Sequence, residues 1–91
     1  MALFFLEYDL RKEPTAKGYQ ALYDELALFS AVRVLKSSWS FTRVNTNATN
    51  LRDHFRKFID ANDGLCVTQV SDWATYNVES AQARDVQSPG L

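Results

Sequence analysis

The sequence predicts an α+β domain built as a two-layer sandwich, with its elements in the order β-α-β-β-α-β. Two apolar runs with a period of 3.6 residues indicate helices, and four runs rich in β-branched or aromatic residues indicate strands. The 91 residues are 46% hydrophobic and 23% charged, a balance typical of one folded domain. Both helices are expected to cover the same face of a four-stranded sheet, which leaves the other face bare.

The first half of the chain shows one strand and one helix. Residues 2–8 are apolar on both alternating faces, which predicts a strand in the middle of the sheet. After a charged loop, apolar residues recur at helical spacing and predict a helix over about residues 16–29. The stripe of this helix consists of Tyr19, Leu22, Tyr23, Leu26 and Phe29.

The second half repeats the pattern after a hairpin. Residues 31–36 and 39–44 predict two antiparallel strands. Asn47 or Asn50 is expected to cap a second helix, which the Asn62-Asp63-Gly64 turn stops because its residues tolerate positive φ. The apolar stripe of this helix consists of Leu51, Phe55, Phe58 and Ile59. A fourth strand is predicted over residues 65–70.

The C-terminal region divides into two parts. Residues 72–78 include Trp73 and Tyr76, whose large side chains indicate a short extra strand or a packed arm. Residues 79–91 have almost no large apolar side chain, which indicates a flexible tail. We therefore interpret residues 1–78 as one domain.

Composition limits the cellular location of the protein and the kinds of metal or catalytic site that it can hold. The single cysteine excludes an intrachain disulfide and a multi-cysteine metal site, as is typical of the reducing cytoplasm. The apolar run over residues 2–6 meets Glu7 and Asp9 too soon for a signal peptide or a membrane span. A cytoplasmic protein without a membrane span is therefore expected, and no glycine-rich phosphate loop, catalytic triad order or zinc spacing is found.

The bare face of the sheet is expected to need a cover. Strands one and three carry apolar side chains on both alternations, so a wet face would expose them. A second copy, together with the C-terminal arm, can cover this face around a two-fold axis. The predicted homodimer interface comprises Leu3, Phe5, Trp39, Phe41, Trp73 and Tyr76. The alternative is a monomer whose tail folds back over the face.

Three segments look like parts of one known family. FFLEYD at residues 4–9 is a hydrophobic strand that ends in Tyr-Asp, RVLKSSW at residues 33–39 looks like a second strand with a serine-containing hairpin, and residues 58–70 look like a second helix and a fourth strand. Over roughly residues 2–76, the chain resembles the small CRISPR adaptation subunit of the endoribonuclease-like type and its ferredoxin-like relatives, which include virulence-associated ribonuclease toxins. The resemblance implies a ferredoxin-like fold and a dimer.

Asp9 is the residue to which the resemblance gives a chemical role. It matches the aspartate that ends the family's first strand, where two copies are proposed to share a divalent metal that activates water for phosphodiester cleavage. Such a site implies Mg²⁺ or Mn²⁺, with Asp9 as both the metal-binding and the catalytic residue. The structural alternative is an aspartate that bonds nearby backbone amides after a strand. The implied function is nucleic-acid contact with assembly, or weak metal-dependent cleavage of RNA or DNA.

Nucleic-acid contact requires local clusters of basic side chains, because the net charge is −1. The first helix carries Asp24 and Glu25, whereas family members that handle nucleic acid usually have a basic helix there. The basic candidates therefore lie elsewhere, at Arg11, Lys12, Arg33, Lys36, Arg43, Arg52 and Arg56. The alternative for these residues is an ordinary solvated surface of mixed sign. His54, without a second histidine or a cysteine partner, is predicted to be a surface or boundary residue.

Two other functions fit the same sequence. The acidic first helix favours a noncatalytic dimeric binding module, such as a mobile-element or toxin-antitoxin accessory protein. A base-stacking RNA binder would use aromatic side chains on the open sheet. The aromatic-glycine signatures of such binders are missing from strands one and three.

Overall fold

A computed structural model of the protein describes residues 1–11 and 19–78. The elements follow the predicted order: β1 (Ala2–Asp9), α1 (Gln20–Leu28), β2 (Val32–Leu35), β3 (Ser38–Arg43), α2 (Ala48–Phe55), a 3₁₀ turn (Arg56–Phe58) and β4 (Gly64–Val70). The strands form one antiparallel sheet in the order β2-β3-β1-β4. The prediction of an α+β fold with two helices and a four-stranded sheet is confirmed.

The core lies between the sheet and both helices. Phe4 and Leu6 from β1 and Phe41 from β3 share one side of the sheet, where they meet the apolar stripes of α1 and α2. The buried helix residues in this cluster are Leu22, Leu26, Leu51 and Phe55. Each core side chain is at most 4% exposed, and its burial contributes roughly 1.5–3 kcal/mol of transfer free energy.

The helix termini show how local sequence sets the element boundaries. Asn47, rather than Asn50, caps α2, because its Oδ1 accepts the Asn50 N–H at 2.8 Å. The C-terminus of α1 lies just before Ser30, which has a left-handed φ of 54°. The Ala31 N–H donates to the Leu26 carbonyl at 3.0 Å and so closes the last turn.

The Asn62-Asp63-Gly64 turn works differently from the prediction. Positive φ occurs at Ser30, Asn45 and Asn77 among the described residues, and not in this turn. The Asp63 carboxylate instead accepts the backbone N–H of Asp60 at 2.8 Å. A side-chain acceptor, and not a left-handed backbone, therefore shapes the turn before β4.

The predicted faces of β3 are reversed in the structure. Leu6 pairs with Trp39 and Phe4 with Phe41, so both aromatic side chains lie on the helix side. Their predicted place on the bare face was wrong, because Phe41 is 3% exposed inside the core and Trp39 packs against that core. We call the other side of the sheet the open face. There β3 contributes Ser38, Ser40 and Thr42, opposite Leu3, Phe5 and Glu7 of β1.

Residues 71–78 contain no helix or strand, so the predicted extra strand does not form in this segment. Trp73 is half-buried, whereas Tyr76 is 91% exposed. The predicted flexible tail at 79–91 and the predicted first turn of α1 at 16–18 lie outside the described residues. No helix in the described ranges combines the length and the apolar character that crossing a membrane requires.

Candidate nucleic-acid contact site

One end of the sheet, which we call the Asp9 end, collects several of the residues that the sequence singles out. Here β1 ends, the turn from β2 to β3 carries Lys36 and Ser37, and β4 begins at Gly64. Asp9 pairs with Gly64, and the Tyr8 N–H donates to the Ser37 carbonyl at 3.1 Å. The fold therefore brings three chain segments to one edge of the molecule.

Asp9 lies at the surface of this end and has a cationic neighbour. Its side chain is 73% exposed, and its Oδ2 is 3.2 Å from Nε of Arg11. Among residues 1–11 and 19–78, no three His, Cys, Asp or Glu residues are grouped so that they could hold a metal. A hard cation such as Mg²⁺ prefers several oxygen ligands. The described part of one chain therefore does not form a Mg²⁺ site around Asp9.

Asp63 organises the Asp9 end. Its Oδ1 accepts the backbone N–H of Arg11 at 2.8 Å, and its Oδ2 is 3.0 Å from the Tyr19 hydroxyl, which donates. The Arg11 guanidinium also donates to the Asn62 carbonyl at 2.9 Å. Asp63 thus ties the end of β1 and the start of α1 to the turn before β4. Sequence reasoning missed this role, although aspartate side chains can bond the backbone three residues earlier.

Arg52 and Arg56 lie one helical turn apart beside this end. They line a groove of about 670 Å³ that also includes Asp63, the same residue that binds Arg11. Arg52 is 2.9 Å from Oδ1 of Asp53, and both side chains are about half exposed. Arg56 is exposed. The groove therefore presents two guanidinium groups next to the Asp9 end.

Arg33 occupies a packed aromatic cluster. Its guanidinium carbon lies 4.7 Å from the centre of the Trp39 ring and 5.8 Å from that of Tyr23, which is the geometry of cation–π contacts. The Tyr8 hydroxyl accepts from Arg33 at 3.4 Å and from the Trp39 indole at 3.1 Å. Burial raises the pKa of Tyr23 above its ordinary value of 10.0, Tyr8 raises it further, and Arg33 lowers it. Arg33 thus contributes to packing more than to the surface.

The remaining basic candidates lie in different parts of the fold. Arg43 pairs with Ala2 at the opposite end of the sheet, and its guanidinium lies 4.0 Å above the Phe29 ring. Lys36 is exposed at the Asp9 end, whereas Lys12 lies outside the described residues. The predicted nucleic-acid residues that face solvent at or beside the Asp9 end are Arg11, Lys36, Arg52 and Arg56.

The open face keeps only part of the predicted dimer interface. Leu3 and Phe5 lie there half-buried, and Trp73 lines a groove of about 780 Å³ together with Leu3. Ser40 also lines this groove; it is 1% exposed, and its hydroxyl has no hydrogen-bond partner among the described residues. Polar and small side chains thus occupy positions where the sequence predicted aromatic rings.

His54 joins the two helices. Its Nε2 is 2.6 Å from Oε2 of Glu25, and its ring packs against Phe29, Phe55 and Phe58. The half-buried position agrees with the predicted boundary role. The contact with Glu25 stabilises helix packing and provides no chemistry at the Asp9 end.

Comparison with known proteins does not identify the chain. No known family profile matches it, and no solved structure matches it at a significant level.

Proposed function

We propose that the protein is a ferredoxin-like homodimer that contacts nucleic acid through the Asp9 end of its sheet. The observation that carries this proposal is that Arg11 and Lys36 lie exposed where β1, the hairpin turn and β4 meet, with the exposed Arg52 and Arg56 in the groove beside them. The ferredoxin-like assignment is supported by the β-α-β-β-α-β order and by the strand order β2-β3-β1-β4. The homodimer is supported by the small size of the domain.

Phosphate contact is the chemistry that these cations suit. Arg11 and Arg52 each contact one exposed carboxylate, and such surface ion pairs contribute only about 0–1 kcal/mol. A nucleic-acid phosphate can therefore replace these partners at little cost. Binding of this kind reads no base sequence and weakens with salt, because it depends on the release of counterions.

Fluorescence anisotropy with a short single-stranded RNA and a short duplex DNA tests this proposal. We expect Arg56→Gln to weaken both interactions and to reduce the slope of log K against log salt by about 1. Arg43→Gln is the matched control, since Arg43 lies at the opposite end, and it should leave affinity unchanged. If the wild type binds neither ligand at low salt, the noncatalytic dimeric binding module becomes the better account.

A weak metal-dependent nuclease is the second candidate, and the exposure of Asp9 favours it. Its carboxylate, 73% exposed, is open to a hydrated Mg²⁺ or Mn²⁺. Residues 1–11 and 19–78 group no three possible ligands there, so a shared site requires the Asp9 of a second copy.

The nuclease candidate is tested with purified protein, Mg²⁺ or Mn²⁺, and the same two nucleic acids. We expect Asp9→Asn to abolish cleavage and retain binding, while Asp72→Asn, the control, changes neither, because Asp72 is exposed beyond Val70 at the opposite end of the sheet. Cleavage that persists in Asp9→Asn would exclude Asp9 as the catalytic residue.

A further inference from the structure

We infer that the two copies of the proposed homodimer join through the outer edge of β4 and so form one continuous eight-stranded sheet. The inference rests on the proposed homodimer. Within residues 1–11 and 19–78, β4 pairs with β1 on one side, and no described strand pairs with its other side. An edge strand of this kind offers a row of backbone N–H and C=O groups to another strand.

The two edges of the sheet differ in how they are protected. β2 has four residues, carries the charged Arg33, and has a register shift between Arg33 and Leu35. A short length, a charge and an irregular register all discourage pairing with a further strand. β4 has seven residues, GLCVTQV, without a charge or a proline, and it keeps a continuous register with β1 from Gly64 to Val70. Only the β4 edge lacks these protective features.

A second copy fits this edge because the edge is complementary to itself. Two antiparallel β4 strands related by a two-fold axis would place their helix layers on the same side, and β4 itself brings no charge to the axis. Next to β4, α2 exposes Arg52 and Asp53, whose side chains are 51% and 55% exposed. Arg52 of each copy can pair with Asp53 of the other across the axis, which leaves Arg11, Lys36 and Arg56 of each copy for nucleic acid.

The open face, in contrast, does not require a partner. Trp39 and Phe41 lie on the helix side, and the β3 residues of the open face are Ser38, Ser40 and Thr42. The same face also carries Cys66, Thr68 and Val70 of β4 and Leu3, Phe5 and Glu7 of β1, with Leu3, Phe5 and Val70 half-buried within one chain. A mixed face of this kind can remain in water, because folded proteins expose much apolar surface. The second copy is therefore assigned to the edge of the sheet.

This arrangement has a consequence for Asp9. Each Asp9 pairs with Gly64 at the start of β4, and antiparallel β4 strands place their two starts at opposite ends. A strand of seven residues is roughly 20 Å long at about 3.3 Å per residue. The two Asp9 carboxylates would thus be too far apart to share a metal, so this dimer excludes the shared-metal nuclease. It would present two separate basic ends to nucleic acid.

Chemical crosslinking tests the interface directly. Cys66 is the one cysteine of the chain, and it is exposed on β4. A short bismaleimide, which tolerates a shift of register, should link the wild type through Cys66 and the Cys66→Ser, Thr68→Cys double variant through position 68. The matched control is Cys66→Ser with Leu35→Cys on β2, where residue 35 is 49% exposed. We expect the control to lose the crosslinked dimer.

Charge placed on each edge gives an independent measurement. Thr68→Lys adds two like charges near the two-fold axis and should raise the dimer dissociation constant about tenfold or more, as measured by light scattering. Leu35→Lys, on the other edge, should leave the dissociation constant unchanged. Both positions are exposed, so circular dichroism should show unchanged folding in both variants.

The results separate failure of the inference from failure of the homodimer. A wild type that stays monomeric at every concentration would overturn both. A dimer that survives Thr68→Lys and does not crosslink through β4 would overturn the edge interface alone. Hydrogen exchange adds a third arm: protection of β4 amides should rise with protein concentration. Protection independent of concentration would assign the edge to a segment of the same chain and overturn the inference.

Discussion

Asp63 shows how one carboxylate supports the Asp9 end. It accepts from the Tyr19 hydroxyl and from the backbone N–H groups of Arg11 and Asp60. Tyr19 is 3% exposed, so loss of the carboxylate removes the hydrogen-bond acceptor of a buried hydroxyl. We expect Asp63→Ala to lower the free energy of unfolding by about 2–3 kcal/mol. Urea denaturation measures this change.

The control for Asp63 is Asp53→Ala, which removes a surface ion pair with Arg52. Such pairs contribute about 0–1 kcal/mol. An equal loss in the two variants would contradict the organising role of Asp63.

Tyr23 makes the stability of the protein sensitive to alkaline pH. Burial raises the pKa of its phenol in the folded state above the ordinary value of 10.0, and Tyr8 adds to this effect. A raised folded-state pKa means that the stabilisation is complete below pH 10 and is lost as the pH rises through the folded pKa. We expect Tyr23→Phe to lose less stability than the wild type above pH 10. Thermal unfolding across that range measures the difference.

The control for Tyr23 is Tyr76→Phe, because Tyr76 is 91% exposed and folding changes its surroundings little. It should follow the wild-type profile. A Tyr23→Phe profile that coincides with the wild type would show that this phenol does not titrate with folding.

For single residues, the sequence predicted the place within an element better than the side-chain contacts made there. The apolar run of β1 fixed the place of Asp9 at the end of the strand, and the structure agrees. The contacts of Asp63 join it to Tyr19 and Arg11, which are 44 and 52 positions away. No local pattern indicates pairs so distant. Distance along the chain is therefore why these contacts of Asp63 were overlooked. The predicted positive φ was wrong for a local reason, because the Asp63 carboxylate accepts the Asp60 N–H and shapes the turn without a left-handed residue.

Among the elements, the end of α1 holds a strained residue. Ser30 has a φ of 54°, a region in which a side chain costs roughly 1–2 kcal/mol and glycine little. We expect Ser30→Gly to raise the free energy of unfolding by about 0.5 kcal/mol or more. The control, Ala27→Gly in the exposed part of α1, should lower it by roughly 0.5–1 kcal/mol. A loss of stability in both variants would contradict the assigned strain.

In the strands, the period-two pattern shows which side chains share a face, but not which face of the sheet they occupy. The alternation of β3 correctly placed Trp39 and Phe41 on one face, but it does not state which face that is. Both faces of β1 carry apolar side chains, so the neighbouring strand offered no guide. Only the register with Phe4 and Leu6 decides the question. A shift of one residue in that register would have matched the prediction.

For the whole molecule, the distribution of charge matters more than its sum. The net charge of −1 leans against polyanion binding. The fold nevertheless brings Arg11, Lys36, Arg52 and Arg56 to or beside one end, where they stand among Asp9, Asp53, Asp60 and Asp63, and leaves Arg43 at the other. A sequence can state the total, but the sheet register decides which charges become neighbours.

The most direct test of the central claim maps the contact surface. Amide chemical shifts of the uniformly labelled protein would be recorded by NMR during titration with a short single-stranded RNA at low salt. The account predicts that shifts concentrate at residues 8–11, 36–37 and 62–64 and along Arg52 and Arg56. Shifts confined to the opposite end, around Ala2 and Arg43, or no shifts at all, would contradict it.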